Sequence, residues 1–358
     1  YAAIGWYLAG IGSVLPELER EVGGWSSIYP LLPGAVLLPW GLAIAHGQRR
    51  TSRVVAHGRS LAFATVALAA AALVTGATRW VGVSVFGAVA AAMAVAWTIR
   101  LLPAALAIAR PDDTERVMIR GNAWSSLASI ISPIAIGASI GIGIGWLPGM
   151  SGPLVIAAAV TVAAVGGGRP RRTTEPATVT AHSAVPPLRA WWRAWTVLTL
   201  SIVIEFCFAY YATTFLHDDV GMSSAAAAAG AAAFGVGMSL GRFVVSVRTP
   251  PRTIVPTVVL VGIGFALFWA IATPLTAIVG FGIAGVGIAP LYPTRATVLL
   301  GRFPAAPDQA STRASIASGA ALLGSPALMA AIRELSDVRT AYLAVPVLLV
   351  LLVVLDRP

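Results

Sequence analysis

Apolar residues run along this chain in long blocks, and polar residues gather in the short stretches between them. Twelve blocks can be marked, at about 1–17, 27–46, 58–77, 83–109, 117–144 and 148–167, then 194–216, 222–246, 253–272, 275–300, 313–332 and 340–355. A helix needs roughly 20 apolar residues at 1.5 Å each to cross bilayer hydrocarbon, and these blocks approach or meet that length. The pattern predicts an all-α polytopic membrane protein with twelve transmembrane helices. A stretch rich in Arg, Pro and Thr interrupts the series at 168–193 and reads as an exposed linker. The organisation expected is a six-helix bundle over 1–167, a cytoplasmic linker over 168–193 and a second six-helix bundle over 194–358.

The two halves repeat each other weakly. Leu101–Pro111 has a counterpart in Leu291–Pro304, with Pro103 set against Pro293. Asn122, Ser125, Ser129, Ser132 and Pro133 meet Ser315, Ser318, Leu322, Ser325 and Pro326 at one constant offset. Spacings of three and four put each set on one helix face. Small hydroxyl residues there let membrane helices pack closely. A duplicated helical unit with pseudo-symmetric halves is a common transporter plan, with the site at the midplane between repeats.

Composition sharpens the class. Of 358 residues 58% are hydrophobic and 11% charged, against about 25% charged in soluble domains. The net charge of +10 comes from 24 basic residues, all arginine. They are dispersed over short loops with no basic face, which excludes nucleic-acid binding. Their placement orients the chain: with both termini cytoplasmic, only Arg20, Arg79, Arg333 and Arg339 fall on the outer side. The expected location is the cell (inner or plasma) membrane. Trp25, Trp80, Trp146, Trp191 and Trp192 fall near block ends, as an interfacial belt would place them. The chain opens at Tyr1 already inside an apolar block, so a few further residues are expected before it, without a cleavable signal. Cys207 is the only cysteine, which leaves no intrachain disulfide and no cysteine metal site. The glycine series 137–145 lacks the strand a dinucleotide loop requires, and the Ala-rich tract 224–233 reads as a small-residue helix. No cofactor or metal is expected.

Two side chains break the apolar rule inside a block. Arg100 stands in the long run Phe86–Arg110, where a guanidinium costs about 2.5–3.5 kcal/mol on insertion scales. Glu205 is the only acid well inside a predicted helix. Other acids, Glu17, Glu19, Glu21, Asp218, Asp219 and Asp337, sit at outer ends, where solvated termini account for them, with Glu17 placed to form an outer gate.

The chain resembles the major facilitator superfamily over essentially its whole length, through the twelve blocks, the central linker and several local patterns. The run L-L-P-A-A-L-A-I-A-R-P-D-D-T-E-R resembles that family's exit from helix four. G-M-S-L-G-R (237–242) resembles its Gly-Arg ending of helix eight, and Glu205 followed by Y-Y-A-T-T-F-L is loosely similar to fucose-permease-like sugar members. One departure stands out. The family's loop after helix two carries an Asp that helps latch the halves, whereas G-L-A-I-A-H-G-Q-R-R (41–50) has Ala45 in its place and Gln48 for the second Gly. The usual inner latch must therefore be weakened or replaced.

What the resemblance implies is a secondary active transporter moving a small solute, sugar-like or an organic anion, by alternating access, with protons as the coupling ion and a monomer in the bilayer. Helices one, four, seven and ten of such proteins line the cavity. This assigns Arg100, Trp97, Trp6, Tyr7 and Tyr292 to substrate binding and Glu205 to proton coupling. Trp97 shares a helix face with Arg100, and Arg295 is expected to snorkel to the inner surface. The alternatives are a drug or lipid exporter of the same fold, or a membrane enzyme on lipid-linked substrates. The last would need clustered acids, histidines or a metal set, which the sequence lacks, so no catalytic residue is assigned.

Overall fold

Apolar blocks of this length close their backbone hydrogen bonds within the segment, the one economical solution in hydrocarbon. The computed structural model describes residues 1–47, 58–77, 80–109, 114–166, 187–247, 254–303 and 307–356, with some side chains, those of residues 100–109 and 114–120 among them, outside that description. The helices in order are α1 (Ala2–Val22), α2 (Leu32–Gly47), α3 (Gly58–Gly76), α4 (Val81–Ala109), α5 (Thr114–Gly141), α6 (Leu147–Met150) and α7 (Gly152–Gly166). There follow α8 (Leu188–Asp218), α9 (Ser224–Val247), α10 (Val255–Ala266), α11 (Pro274–Ile288), α12 (Leu291–Gly301), α13 (Pro307–Leu335), α14 (Val338–Ala341) and α15 (Ala344–Leu355). Among the described residues there is no strand.

Among the described residues eight segments are long and apolar enough to cross a membrane, the first of them, Ala2–Ala43, holding α1 and most of α2. Three shorter apolar helices accompany them, Ala62–Gly76, Leu147–Val162 and Val255–Ile271. The protein is thus an all-helical, multi-pass membrane protein.

Several blocks that read as single helices are broken, each at a sequence feature. The second begins as a 3-10 turn, Gly23–Leu31, with Pro30 inside it, before α2 takes over. The block 275–300 divides into α11 and α12 at Ala289 and Pro290, where prolines withdraw two amide donors, and the Thr294 hydroxyl donates to the Pro290 carbonyl at 2.7 Å. Block 253–272 ends in a π turn, Leu267–Ile271, closed by Ala272 at φ 50. Thr273 then restarts the chain: its hydroxyl accepts from the Thr276 amide while Thr276 reaches back to the Thr273 amide. The helix expected from 194 starts earlier, at Leu188, directly after the extended Pro187 at its N-cap. Of the expected aromatic belt, Trp25 and Trp80 are exposed, but Trp146 is buried and donates to Glu21 at 3.2 Å.

Short connections join α1 to α2, α5 to α6, α8 to α9 and α13 to α14 at one end of the bundle, here the far end. The near end carries the starts of α1 and α8.

Close helix contacts fall where glycines face neighbours. Gly5 of α1 meets Ser125 of α5, Gly12 meets Ala209 and Tyr210 of α8, Gly34 of α2 meets Leu322 and Leu323 of α13, and Gly137 of α5 meets Ala225 and Ala229 of α9. A methyl group at any of them would overlap the facing backbone. The predicted serine stripe works in this packing: Ser132 donates to the Trp6 carbonyl at 2.9 Å and Ser129 to Gly5 at 3.3 Å. Asn122, its first member, has its side chain outside the described residues. The glycine series 137–145 only partly packs, since Gly143 and Gly145 adopt φ +80 and +78 in the turn after α5, where a side chain would be strained. Phe208, Phe215, Phe268, Phe281 and Tyr342 form a fully buried aromatic cluster joining α8, α11, α14 and the π turn, Phe268 stacking on Phe281 at 4.5 Å.

Candidate functional site

Glu205 stands near the middle of α8, and Arg242 lies about one turn from the near end of α9. Side chains on a helix lean toward its N-terminus. Since α8 and α9 are antiparallel neighbours, Glu205 leans toward the near end and Arg242 leans back toward mid-depth, so the two converge. The Arg242 Nη2 is 3.4 Å from Glu205 Oε1, and its Nη1 donates to Ser126 Oγ of α5 at 2.9 Å. The Tyr292 phenol at the start of α12 lies within electrostatic reach of both charges. Tyr292 is 40% exposed and the Arg242 side chain 38%, while the Glu205 side chain is 18% exposed, so two members of this polar set are accessible.

Among the described residues the cation that pairs with Glu205 is Arg242. Arg100 lies in α4 as expected, but its side chain is outside the described residues. Trp97 is half-exposed and packs its ring against Trp40 of α2, centroids 5.9 Å apart. Trp6 and Tyr7 bond to partners other than Glu205 and Arg242. The Trp6 indole donates to the Gly149 carbonyl at 3.1 Å and lies against Gly152, while Tyr7 is 1% exposed with its hydroxyl 3.4 Å from the Ala88 carbonyl. These bonds run to α4 and to the end of α6, while the Tyr7 phenol also lies within electrostatic reach of Tyr210 on α8. Arg295 forms an ion pair at 2.9 Å with Asp356, the residue just after α15, both largely buried. Burial pushes the Asp356 carboxyl above its usual range against the opposing pull of Arg295.

Arg242 was not singled out from sequence as a site residue. The signal available was the arginine closing G-M-S-L-G-R, read as a near-end charge; a four-bond side chain leaning toward the N-terminus turns such a residue into a mid-depth one.

At the far end a cavity of about 470 Å³ opens between the turn after α1 and the ends of α8 and α13. This cavity is remote from Glu205. Arg333 of α13 lines it and forms ion pairs with Glu19 of α1 at 2.6 Å and Asp218 of α8 at 3.1 Å. Arg20 pairs with Glu17 at 2.7 Å and also bonds Ser224 at the start of α9. Arg339 pairs with Asp219 at 3.2 Å and covers the Trp269 ring. The outer acids are thus largely partnered rather than merely solvated, and the α1 acid that Arg333 links to Asp218 of α8 is Glu19, while Glu17 pairs with Arg20. Among the described residues no group of His, Cys, Asp and Glu is arranged to hold a metal ion.

The class these observations define is a polytopic helical membrane protein. Among solved structures it is similar to a bacterial homologue of the human lysosomal transporter Spinster in an inward-facing, occupied conformation, at 15% identity and TM-score 0.66 over 99% of this chain and 94% of that one. A point mutant of the nucleoside transporter NupG matches at 13% identity and TM-score 0.71, over 100% and 97%. A POT family transporter in complex with a thioalcohol-conjugated peptide matches at 12% identity and TM-score 0.71, over 99% and 93%. At such identities the likeness is one of fold. No family model matches the sequence, and no curated protein matches it.

Proposed function

We propose that this protein is a secondary transporter that moves a small solute across a cellular membrane by alternating access. Residues 1–167 and 194–358 act as the two moving halves, together supplying twelve spans, with 168–193 as the cytoplasmic linker. Both termini lie in the cytoplasm, so the far end faces outward. The solute is sugar-like or an organic anion, the coupling ion a proton, and no catalytic chemistry takes part.

The observation that carries this reading is the accessible charge set at mid-depth. A guanidinium exposed there to hydrocarbon would be costly, so the space beside Arg242 and Tyr292 is read as a water-filled one between the halves. Arg242 holds Glu205 of its own half and Ser126 of the other. An arriving anion or polyol has donors to compete for, because the fork presents five N–H groups and only two are engaged by these partners. When Glu205 loses Arg242, its charge becomes harder to sustain at low dielectric and a proton is taken up. Solute and proton are then linked through one cation.

The direct test is proton-driven uptake in proteoliposomes. Glu205→Gln is expected to abolish accumulation driven by a pH gradient while leaving exchange of preloaded solute intact. Driven accumulation that survives in Glu205→Gln removes Glu205 from the coupling role.

A further inference from the structure

The geometry points to Arg333 as a clamp that holds the outer mouth shut and opens by losing Glu19 while keeping Asp218. The direction of opening rests on the transporter reading above.

One nitrogen of Arg333, Nη2, serves both carboxylates, Glu19 Oε2 at 2.6 Å and Asp218 Oδ2 at 3.1 Å. The two partners belong to different bodies. Asp218 ends α8, which packs along α13 and is tied to it where the Tyr211 hydroxyl donates to the Pro326 carbonyl at 3.2 Å. Glu19 is on α1, in the first half. Parting the halves at the outer end therefore stretches Arg333–Glu19 and leaves Arg333–Asp218 in place.

The charges around the cavity explain why a cation stands there. Glu19, Asp218, Asp219, Glu334 and Asp337 line it, and Arg333 is the guanidinium among its lining residues. Bringing Glu19 up to that acidic wall would be repulsive without Arg333 between the carboxylates. The clamp is also weak in a useful sense. Glu19 is 43% and Arg333 26% exposed, and ion pairs at such sites bias an equilibrium rather than lock it. A gate that must open in every cycle suits that strength. The close packing of Gly34 against Leu322 and Leu323, and the Arg20–Ser224 bond, cross the same interface, so the test has to isolate the Arg333 contribution.

Leu15 lines the cavity and is 6% exposed, and the sole native thiol, Cys207, is fully buried. The full chain carrying Leu15→Cys and Cys207→Ala is labelled in right-side-out vesicles with a membrane-impermeant maleimide. Glu19→Gln is expected to raise the labelling rate about 5-fold, the population shift that losing one partly exposed ion pair supports. Asp218→Asn is expected to stay within about 2-fold of the parent, because its partner moves with it. Raising NaCl to about 1 M should speed labelling when Glu19 is present and not in Glu19→Gln, since salt screens exposed charges. An unchanged rate in Glu19→Gln, an equal rise in Asp218→Asn, or no salt effect with Glu19 present each overturns the clamp. Labelling needs no solute, so a failure of the transport reading would show separately, as absent uptake with the clamp intact.

Discussion

Arg242 bridges two helices: its Nη2 lies 3.4 Å from Glu205 of α8 while its Nη1 donates to Ser126 of α5 at 2.9 Å. A planar fork can serve two such partners at once, and a lysine ammonium cannot reproduce that geometry. Arg242→Lys is expected to keep measurable solute binding and lose most driven uptake, and Arg242→Gln to lose at least about 10-fold in affinity, which corresponds to about 1.4 kcal/mol. Titration calorimetry and uptake on the two variants check it; equal and full activity in Arg242→Gln contradicts it.

Trp6 and Tyr7 should behave as packing residues. Tyr7→Phe removes only a long bond to the Ala88 carbonyl and is expected to cost under about 1 kcal/mol. Tyr7→Ala opens a cavity between α1 and α4 and is expected to cost about 3–5 kcal/mol. In neither folded variant should the solute dissociation constant move. Thermal unfolding in detergent alongside binding isotherms separates the two effects, and an affinity loss in Tyr7→Phe would return Tyr7 to the site.

The buried pair of Arg295 and Asp356 predicts a non-additive cycle. Removing one partner strands a charge in a place with little water, at a cost of about 3–5 kcal/mol, whereas replacing both with apolar groups recovers most of the loss. Arg295→Met and Asp356→Leu should each lower the unfolding midpoint strongly, and the double variant should stand above either single one. Simple additivity of the two losses would show that the residues do not interact.

Asp337 caps α14 by accepting from the Thr340 amide at 2.6 Å, and that bond holds its carboxyl below the ordinary value of 3.8. A carboxyl lowered in the folded state contributes stability that is fully present above the unfolded value and fades as pH falls through the folded one. Asp337→Ala should therefore unfold at a lower temperature than the parent at neutral pH. The gap should narrow as pH drops below about 3.8. Melting curves between neutral and acid pH test it, and a gap that widens on acidification refutes the cap.

Much of the architecture follows from block length alone. Segments such as 194–216 and 313–332 had to be helices, because long apolar runs in lipid satisfy their backbone internally. The serines at 125, 129 and 132 marked close helix approach before any contact was visible. Prolines told less than they decided: Pro290 and Pro293 break one apolar block, whereas Pro133 and Pro326 remain inside intact helices.

By itself the sequence determined that this chain is a multi-pass helical protein and that Glu205 is an acid within one of its long helices, since hydrophobicity and length act locally. Tertiary structure decided the partners. Glu205 and Arg242 are 37 positions apart, and Arg333 and Glu19 are 314 apart. Whether such residues meet depends on helix rotation, on the direction each side chain leans and on which helices are neighbours. None of these is encoded in a single segment, which is why Arg242 read as a helix-end charge rather than as the partner of Glu205.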